Sequence, residues 1–365
     1  MKKSIPLIAL CLMALPAVAE DPGRVYENKL TPLKDPEPIL ADHPEFFQPI
    51  VEVARYEAPT LVQDENADLS VRAWRWSYNA RGIIEMPNFI DASKTAIVVV
   101  HPWGIDDDNG WISPEPAGVA FNCTPIKNEM GHRQQREVLD PFLNRLRGKV
   151  KYVLHSLPGK EDPIRAKVYR SLDLEIPTAK ERSEGLMELE AKLKGFHYVA
   201  GDLPETIALS DESPVRDYFK QFPGLDSGDH YNGKGFWDLP IPITTALTNT
   251  DEDVVAYDLE GYEKIRDTLK EQGIEHILMT GYATDMCYIS TTAGWQNFSP
   301  DFNVFLVGDA TMATFPANSS AAYATNAAIS FASLNQLVTQ TSWVKENPTP
   351  LTPSVGAGSE LDSGP

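Results

Sequence analysis

Cysteine is scarce in this chain, with three in 365 residues. That scarcity excludes a scaffold held together by many disulfides. Basic residues are also in short supply: Lys and Arg number 32 against 52 Asp and Glu, a formal net charge of −20. Such acidity argues against nucleic acid and against anionic membrane surfaces as partners. Long apolar runs are missing too. The one run near the N-terminus, Ile5 to Leu15, is too short to span a bilayer.

What is present begins with that run. Lys2 and Lys3 precede it, and Ala17-Val18-Ala19 follows as a small-x-small sequence before Glu20. Residues 1–19 therefore read as a secretory signal peptide, and the mature protein is expected to be exported, periplasmic or secreted, in a bacterium. Cys11 leaves with the signal. Cys123 and Cys287 remain, and in an oxidising compartment such a pair leaves a disulfide open.

The full 365-residue chain is 42% hydrophobic and 23% charged, enough for one large domain with accessories. Residues 20–48 are an extended lead-in rich in Pro and acidic residues, such as Asp35-Pro36-Glu37-Pro38. Residues 49–93 form a small β-rich region. Leu69 to Tyr78 alternates, with Trp74, Trp76 and Tyr78 on one side, and Asn79 to Gly82 supplies turn residues. The aromatic stripe is expected to pack on the main domain; a carbohydrate surface is the competing reading.

From residue 94 to 344, strands alternate with helices. Thr95–Val100 is a continuous apolar run, as a strand buried on both faces requires. Further strands are expected at Lys151–Leu154, Val254–Tyr257, Ile277–Gly281 and Asn303–Val307, with a last edge strand at Thr341–Val344. Helices are expected at Gln134–Leu146, Tyr262–Gln272 and Ala321–Val338. Residues 157–253 read as an irregular insertion carrying one helix, Ala179–Leu193. Residues 345–365 read as a disordered tail. The fold class is an α/β three-layer sandwich around a mainly parallel sheet, with an N-terminal β-rich extension. Ligands bind such sheets beyond the carboxyl ends of the strands, at the switch point. That rule selects His101, Asp258 and Cys287.

Gly281-Tyr282-Ala283-Thr284-Asp285-Met286-Cys287 is the most informative stretch. An apolar run ends in Gly, a polar turn follows, and a helical pattern begins. Cys287 would stand in the first turn of a helix, where unpaired N–H groups favour a thiolate. A buried structural cysteine is the bland alternative.

The segment resembles the isochorismatase-like cysteine hydrolases, which include the nicotinamidases. The likeness rests on Gly281 to Tyr288, on Ser290-Thr291-Thr292-Ala293 and on Asp309-Ala310. It implies a cysteine nucleophile at Cys287, an oxyanion hole from the backbone N–H groups of Ala283 and Cys287, and a cis peptide between Tyr282 and Ala283. Family members often associate, so a homo-oligomer is an open expectation. The family's triad is Cys, Asp and Lys. Here His101 stands at the Asp position, Trp103 at a Gln position and Asp258 at the Lys position.

The three residues still form a familiar set of nucleophile, base and orienter. Cys287 attacks a carbonyl, His101 moves the proton, and Asp258 steadies the imidazolium. A His near its ordinary pKa, about 6.5, suits that task near neutrality. Trp103, Tyr282, Thr284, Phe121 and His155 are candidates for the substrate pocket, and Tyr288 is a weaker one. No cofactor is required and no metal is assigned. Asp106, Asp107 and Asp108 read as a solvated turn, and Asp229 with His230 lacks a matching ligand spacing. The expected function is hydrolysis of a small amide or ester. The alternative is a catalytically degenerate protein on the same fold that binds a ligand or partner.

Overall fold

The computed structural model describes residues 24–104, 125–196, 205–221, 235, 238–314 and 326–346. The expected signal at 1–19, Phe121, Cys123, Asp106 to Asp108, Asp229 and His230 lie outside these residues, as does nearly all of the tail.

Eleven strands form one sheet: β1 (Thr31–Pro32), β2 (Arg55–Glu57), β3 (Leu69–Ser77), β4 (Gly82–Ile90), β5 (Thr95–Val100), β6 (Tyr152–Leu157), β7 (Val254–Tyr257), β8 (His276–Tyr282), β9 (Asn303–Met312), β10 (Leu337–Thr339) and β11 (Val344–Glu346). The order across the sheet is β1-β2-β4-β3-β10-β9-β8-β5-β6-β7, with β11 paired to β3. From β10 to β7 every pairing is parallel. The sheet is thus mixed but mainly parallel, with helices between its parallel strands, as the sequence implies.

The parallel half follows from composition. β5, β6, β7 and β8 bury every residue, which demands cover on both faces. Helices supply the crossovers between them. Pro125–Gln134 continues through a π turn (Gln135–Leu139) into Asp140–Leu146 and links β5 to β6. Tyr262–Glu271 links β7 to β8. Val138, Leu139, Phe142, Leu143 and Leu146 from the first, and Ile265 and Leu269 from the second, join the core. In the insertion, Ala179–Lys194 is a helix closed by a Thr178/Glu181 capping box, as its pattern predicts.

The chain runs β5, β6, β7 in one direction, then returns to place β8 on the other side of β5. The switch point therefore lies between β5 and β8. His101 leaves one strand there and Cys287 follows the other.

Several expectations need correction. The helix expected over Ala321–Val338 is Ala327–Ala332 within the described residues, and Leu337 opens β10. Thr341–Trp343 is a 3₁₀ turn, and the last strand, β11, runs antiparallel to β3. The N-terminal region packs on the main domain, as expected, by joining the sheet itself. Its hairpin, β3 with β4 in register from Leu69↔Ile90 to Ser77↔Gly82, extends the same sheet. Val338 of β10 pairs with Trp74, and Val344 of β11 with Val71. Trp74 is 2% exposed, Trp76 is half-buried, and Tyr78 stands in solvent. The stripe is therefore no open aromatic platform, and the carbohydrate reading loses its basis.

This half of the sheet buries charge. Arg55 (3% exposed) donates through Nε to Oε1 of Glu85 (2% exposed) at 2.6 Å. Arg72 bridges the other carboxylate oxygen at 2.6 Å and Glu57 at 3.0 Å.

Candidate active site

β5 ends at Val100, and His101 turns the chain with φ +50°. This left-handed conformation is uncommon outside Gly, though His tolerates it better than bulkier residues do. It is held by His101 N donating to Ser156 O (3.1 Å) and by Trp103 N donating to His101 O (2.9 Å) around Pro102. The Trp103 ring stacks on the imidazole, centroids 4.9 Å apart. Trp103 is thus placed beside the site, against His101.

The turn aims His101 at the end of β7. Its Nε2 lies 2.8 Å from Oδ2 of Asp258, the first residue beyond that strand. His101 is 6% exposed. Nδ1 is buried and makes no oriented hydrogen bond among the described residues. The Cys287 thiol is free and half-buried, and it stands close enough to act on the imidazole.

Burial alone would lower the His101 pKa. The Asp258 carboxylate and Cys287 together outweigh it and push the value up to about 9. This corrects the expectation of an ordinary histidine. Asp258, paired with the ring at 2.8 Å, favours the imidazolium over the neutral form.

β8 delivers Cys287. Gly281 has φ +92°, and a Cβ there would collide with the backbone N and O of Val100. Only Gly lets β8 pass this close to the end of β5. The Tyr282–Ala283 peptide is cis, as the resemblance implies. Met286 N (3.0 Å) and Tyr288 N (3.1 Å) both donate to Ala283 O. Among the described residues, the amides of Ala283 and Cys287 have no such acceptor. The helix at Cys287 is one turn, Cys287–Ser290, shorter than its sequence pattern suggests. Any help to the sulfur comes from local amides rather than from a long dipole.

The other candidates divide. Thr284 is 3% exposed, its hydroxyl lacks a partner among the described residues, and it lines a cavity of about 480 Å³ with Asp285, Met286, Ile289, Ala313 and Phe331. Tyr282 is corrected: its side chain is buried and its hydroxyl donates to Gln134. Tyr288 is likewise buried and bonds Gln336 at 2.8 Å. His155 is also corrected. It lies 3.3 Å from Asp253 in a fully buried pair that Arg147 completes at 2.9 Å. His155 and Arg147 overcome the cost of burial and bring the Asp253 pKa down to about 2. Successive residues of a strand face opposite ways. The next residue, Ser156, reaches Asp258 Oδ1 at 3.4 Å, so His155 faces away.

Sequence reasoning missed the residues that hold Asp258. Thr291 Oγ1 donates to Asp258 Oδ1 (2.9 Å) and lies 3.3 Å from His101 Nε2. Thr292 Oγ1 donates to Asp258 O at 2.6 Å. Both belong to the Ser290–Ala293 motif, which marked the place without giving its role. At the opposite end of β8, Asp64, Glu275 and His276 gather within metal-ligand spacing. Protein groups satisfy them: His276 with Asp64 at 2.8 Å, Asp91 N to Asp64 at 2.7 Å, and Lys94 with Glu275 at 2.8 Å. They tie the segment before β3 to the parallel half.

Residues 247–340 match the family model described as Isochorismatase domain. That span takes in Asp258, Cys287 and Thr291 and leaves out His101. The chain is similar to a cysteine hydrolase from Pseudomonas syringae pv. phaseolicola 1448A, at 16% identity and TM-score 0.33, over 69% of this chain and 91% of that one. An isochorismatase family protein from Desulfovibrio vulgaris subsp. vulgaris str. Hildenborough shows 14% identity and TM-score 0.32, over 68% and 95%. A nicotinamidase from Staphylococcus aureus shows 11% identity and TM-score 0.28, over 68% and 99%. No curated protein matches. The isochorismatase-like resemblance read from the cysteine segment is borne out by the family match.

Proposed function

We propose that this isochorismatase-like chain is a cysteine-nucleophile hydrolase acting on a small amide or ester. One observation carries the reading. Cys287, His101 and Asp258 converge at the carboxyl ends of three parallel strands, although 157 positions separate His101 from Asp258.

The chemistry follows from the protonation of His101. The Cys287 sulfur, as thiolate, attacks the carbonyl carbon. Negative charge builds on the carbonyl oxygen, and the amides of Ala283 and Cys287 are placed to receive it. The His101 imidazolium gives its proton to the departing nitrogen or oxygen as the C–N or C–O bond breaks. A thioester remains. Water then attacks it, neutral His101 takes the water proton, and the C–S bond breaks to release the acid. Asp258 holds the ring through both steps, and no cofactor takes part.

Action outside the cytoplasm belongs to the same proposal, on the strength of Lys2-Lys3, the Ile5–Leu15 run and Ala17-Val18-Ala19. Among the described residues, no helix is long and apolar enough to cross a membrane.

The test is intact-mass labelling of the purified protein with iodoacetamide from pH 5 to 9, in wild type and His101→Ala, followed by an amide and ester screen. Fast labelling at Cys287 below pH 7, lost in the variant, is the expected result. Slow labelling that is indifferent to His101 would transfer the weight to a non-catalytic ligand-binding role.

A further inference from the structure

We infer that Thr291 is a positioning residue, whose hydroxyl fixes the Asp258 carboxylate in the orientation that holds His101. The inference rests on the hydrolase reading above and adds a residue to it.

Asp258 presents two carboxylate oxygens with different duties. Oδ2 faces His101 Nε2 at 2.8 Å. Oδ1 accepts from Thr291 Oγ1 at 2.9 Å, with Ser156 Oγ farther off at 3.4 Å. A carboxylate rotates about its last bond unless both oxygens are engaged. Thr291 therefore decides which way the plane of the group lies. Its oxygen also sits 3.3 Å from Nε2. Its single proton is spent on Asp258, so toward the imidazolium it presents only lone pairs, as an acceptor should.

The support for Thr291 is itself built. The one-turn helix stops at Thr291, whose backbone is extended (φ −73°, ψ 175°). Asn297 Nδ2 donates to the carbonyls of both Thr291 and Thr292 at 3.1 Å. Thr292 secures the main chain of Asp258 rather than its carboxylate. Two adjacent threonines thus act on one aspartate in separable ways. The same short segment starts with the nucleophile and ends with the orienter's support, so Cys287 and Asp258 are registered against each other through the five residues Cys287 to Thr291.

The substitution Thr291→Val removes the hydroxyl at nearly constant volume, and Thr291→Ser keeps it. Among the described residues, the titratable and hydrogen-bonding groups facing His101 are Asp258, Cys287 and the Thr291 hydroxyl, with the Trp103 ring stacked on the imidazole. His101 titration by NMR and the pH dependence of iodoacetamide labelling at Cys287 read the geometry without any hydrolysis. Thr291→Val should lower the His101 titration midpoint and slow labelling at neutral pH by roughly tenfold, the scale of one lost hydrogen bond to a charged group. Thr291→Ser should restore both, and Thr292→Val should lower thermal stability while leaving the titration in place. An unmoved titration in folded Thr291→Val would overturn the inference. So would equal damage from Thr291→Ser, which would reduce the residue to packing. Neither result depends on finding the substrate. A protein that labels normally but hydrolyses nothing would count against the hydrolase reading alone.

Discussion

Strands β5 to β8 bury every residue they carry, whereas β2, β3 and β4 run ion pairs through their half of the same sheet. The parallel half is held mainly by apolar packing and helical cover, with a buried ion pair at His155 and Asp253, and the candidate site residues stand beyond its strand ends. The N-terminal half, where β2 pairs β4 in parallel and β3 pairs β4 antiparallel, sets Arg55, Glu85 and Arg72 diagonally across neighbouring strands. The proposed chemistry belongs to the first half, where an apolar frame makes each pairing at its rim stronger. In the second half, charge ties the strands together: Arg55 reaches Glu85, and Arg72 reaches both Glu85 and Glu57.

The sharpest break between the halves should come from Cys287→Ala. Loss of the nucleophile is expected to cut turnover by about 10⁴-fold or more, with the melting temperature little changed. Calorimetry beside a rate assay checks both parts. A large loss of stability would mean that Cys287 serves the core instead.

Glu85→Ala should act in the opposite sense. It leaves Arg55 in the interior without a carboxylate, only the Glu37 carbonyl remaining as acceptor, at a cost of about 3–5 kcal/mol. Specific activity per folded molecule should be kept. Chemical denaturation and labelling of Cys287 in the same preparation separate the two effects.

The pH response should also divide. Asp258 and Cys287 raise the His101 pKa from 6.5 to about 9 against burial. The folded value lies above the unfolded one. The stabilisation is therefore complete below about pH 6.5 and is lost as pH rises through about 9. Activity that needs the imidazolium should fall on the alkaline side with an apparent pKa near 9, and Asp258→Asn should move that limb down. A rate that rises through pH 9 would exclude the protonated His101.

The smallest effect is expected where the two halves meet. Burial pushes the Asp309 pKa up to about 6, against the pull of its Thr341 donors. Its folded pKa exceeds the ordinary 3.8, so stability should fall as pH rises from about 3.8 through about 6. Asp309→Asn should flatten that slope while changing stability at pH 5 by no more than about 1 kcal/mol. Melting curves from pH 4 to 8 would show it.

The parallel strands were legible because continuous apolar runs admit few other readings, and Gly281 to Cys287 carried the candidate nucleophile with them. The switch-point rule then picked His101 and Asp258, which the fold brings within 2.8 Å. What stayed hidden was parity and distance. A run such as Tyr152 to Leu157, buried throughout, does not say whether His155 or Ser156 faces the site. Nor does local sequence say that Trp74 will meet Val338, a pairing made across the length of the chain. His101's raised pKa was invisible for the same reason: it depends on two partners that only the fold supplies. Thr291 lay inside a motif already noticed, and its role needed the position of Asp258.

The Trp74–Val338 junction also settles how the sheet is finished. Without β3 beside it, β10 would offer three residues of bare backbone at the rim of the parallel half, open to strands from other molecules. The hairpin covers that rim and moves the exposed edge out to β1, two residues long. At the far side, Val255 N donates to Arg170 O at 2.8 Å and occupies part of the β7 edge. A chain cut near residue 93 would thus lose its guard against sticking to itself, and its first symptom should be aggregation rather than a slower reaction.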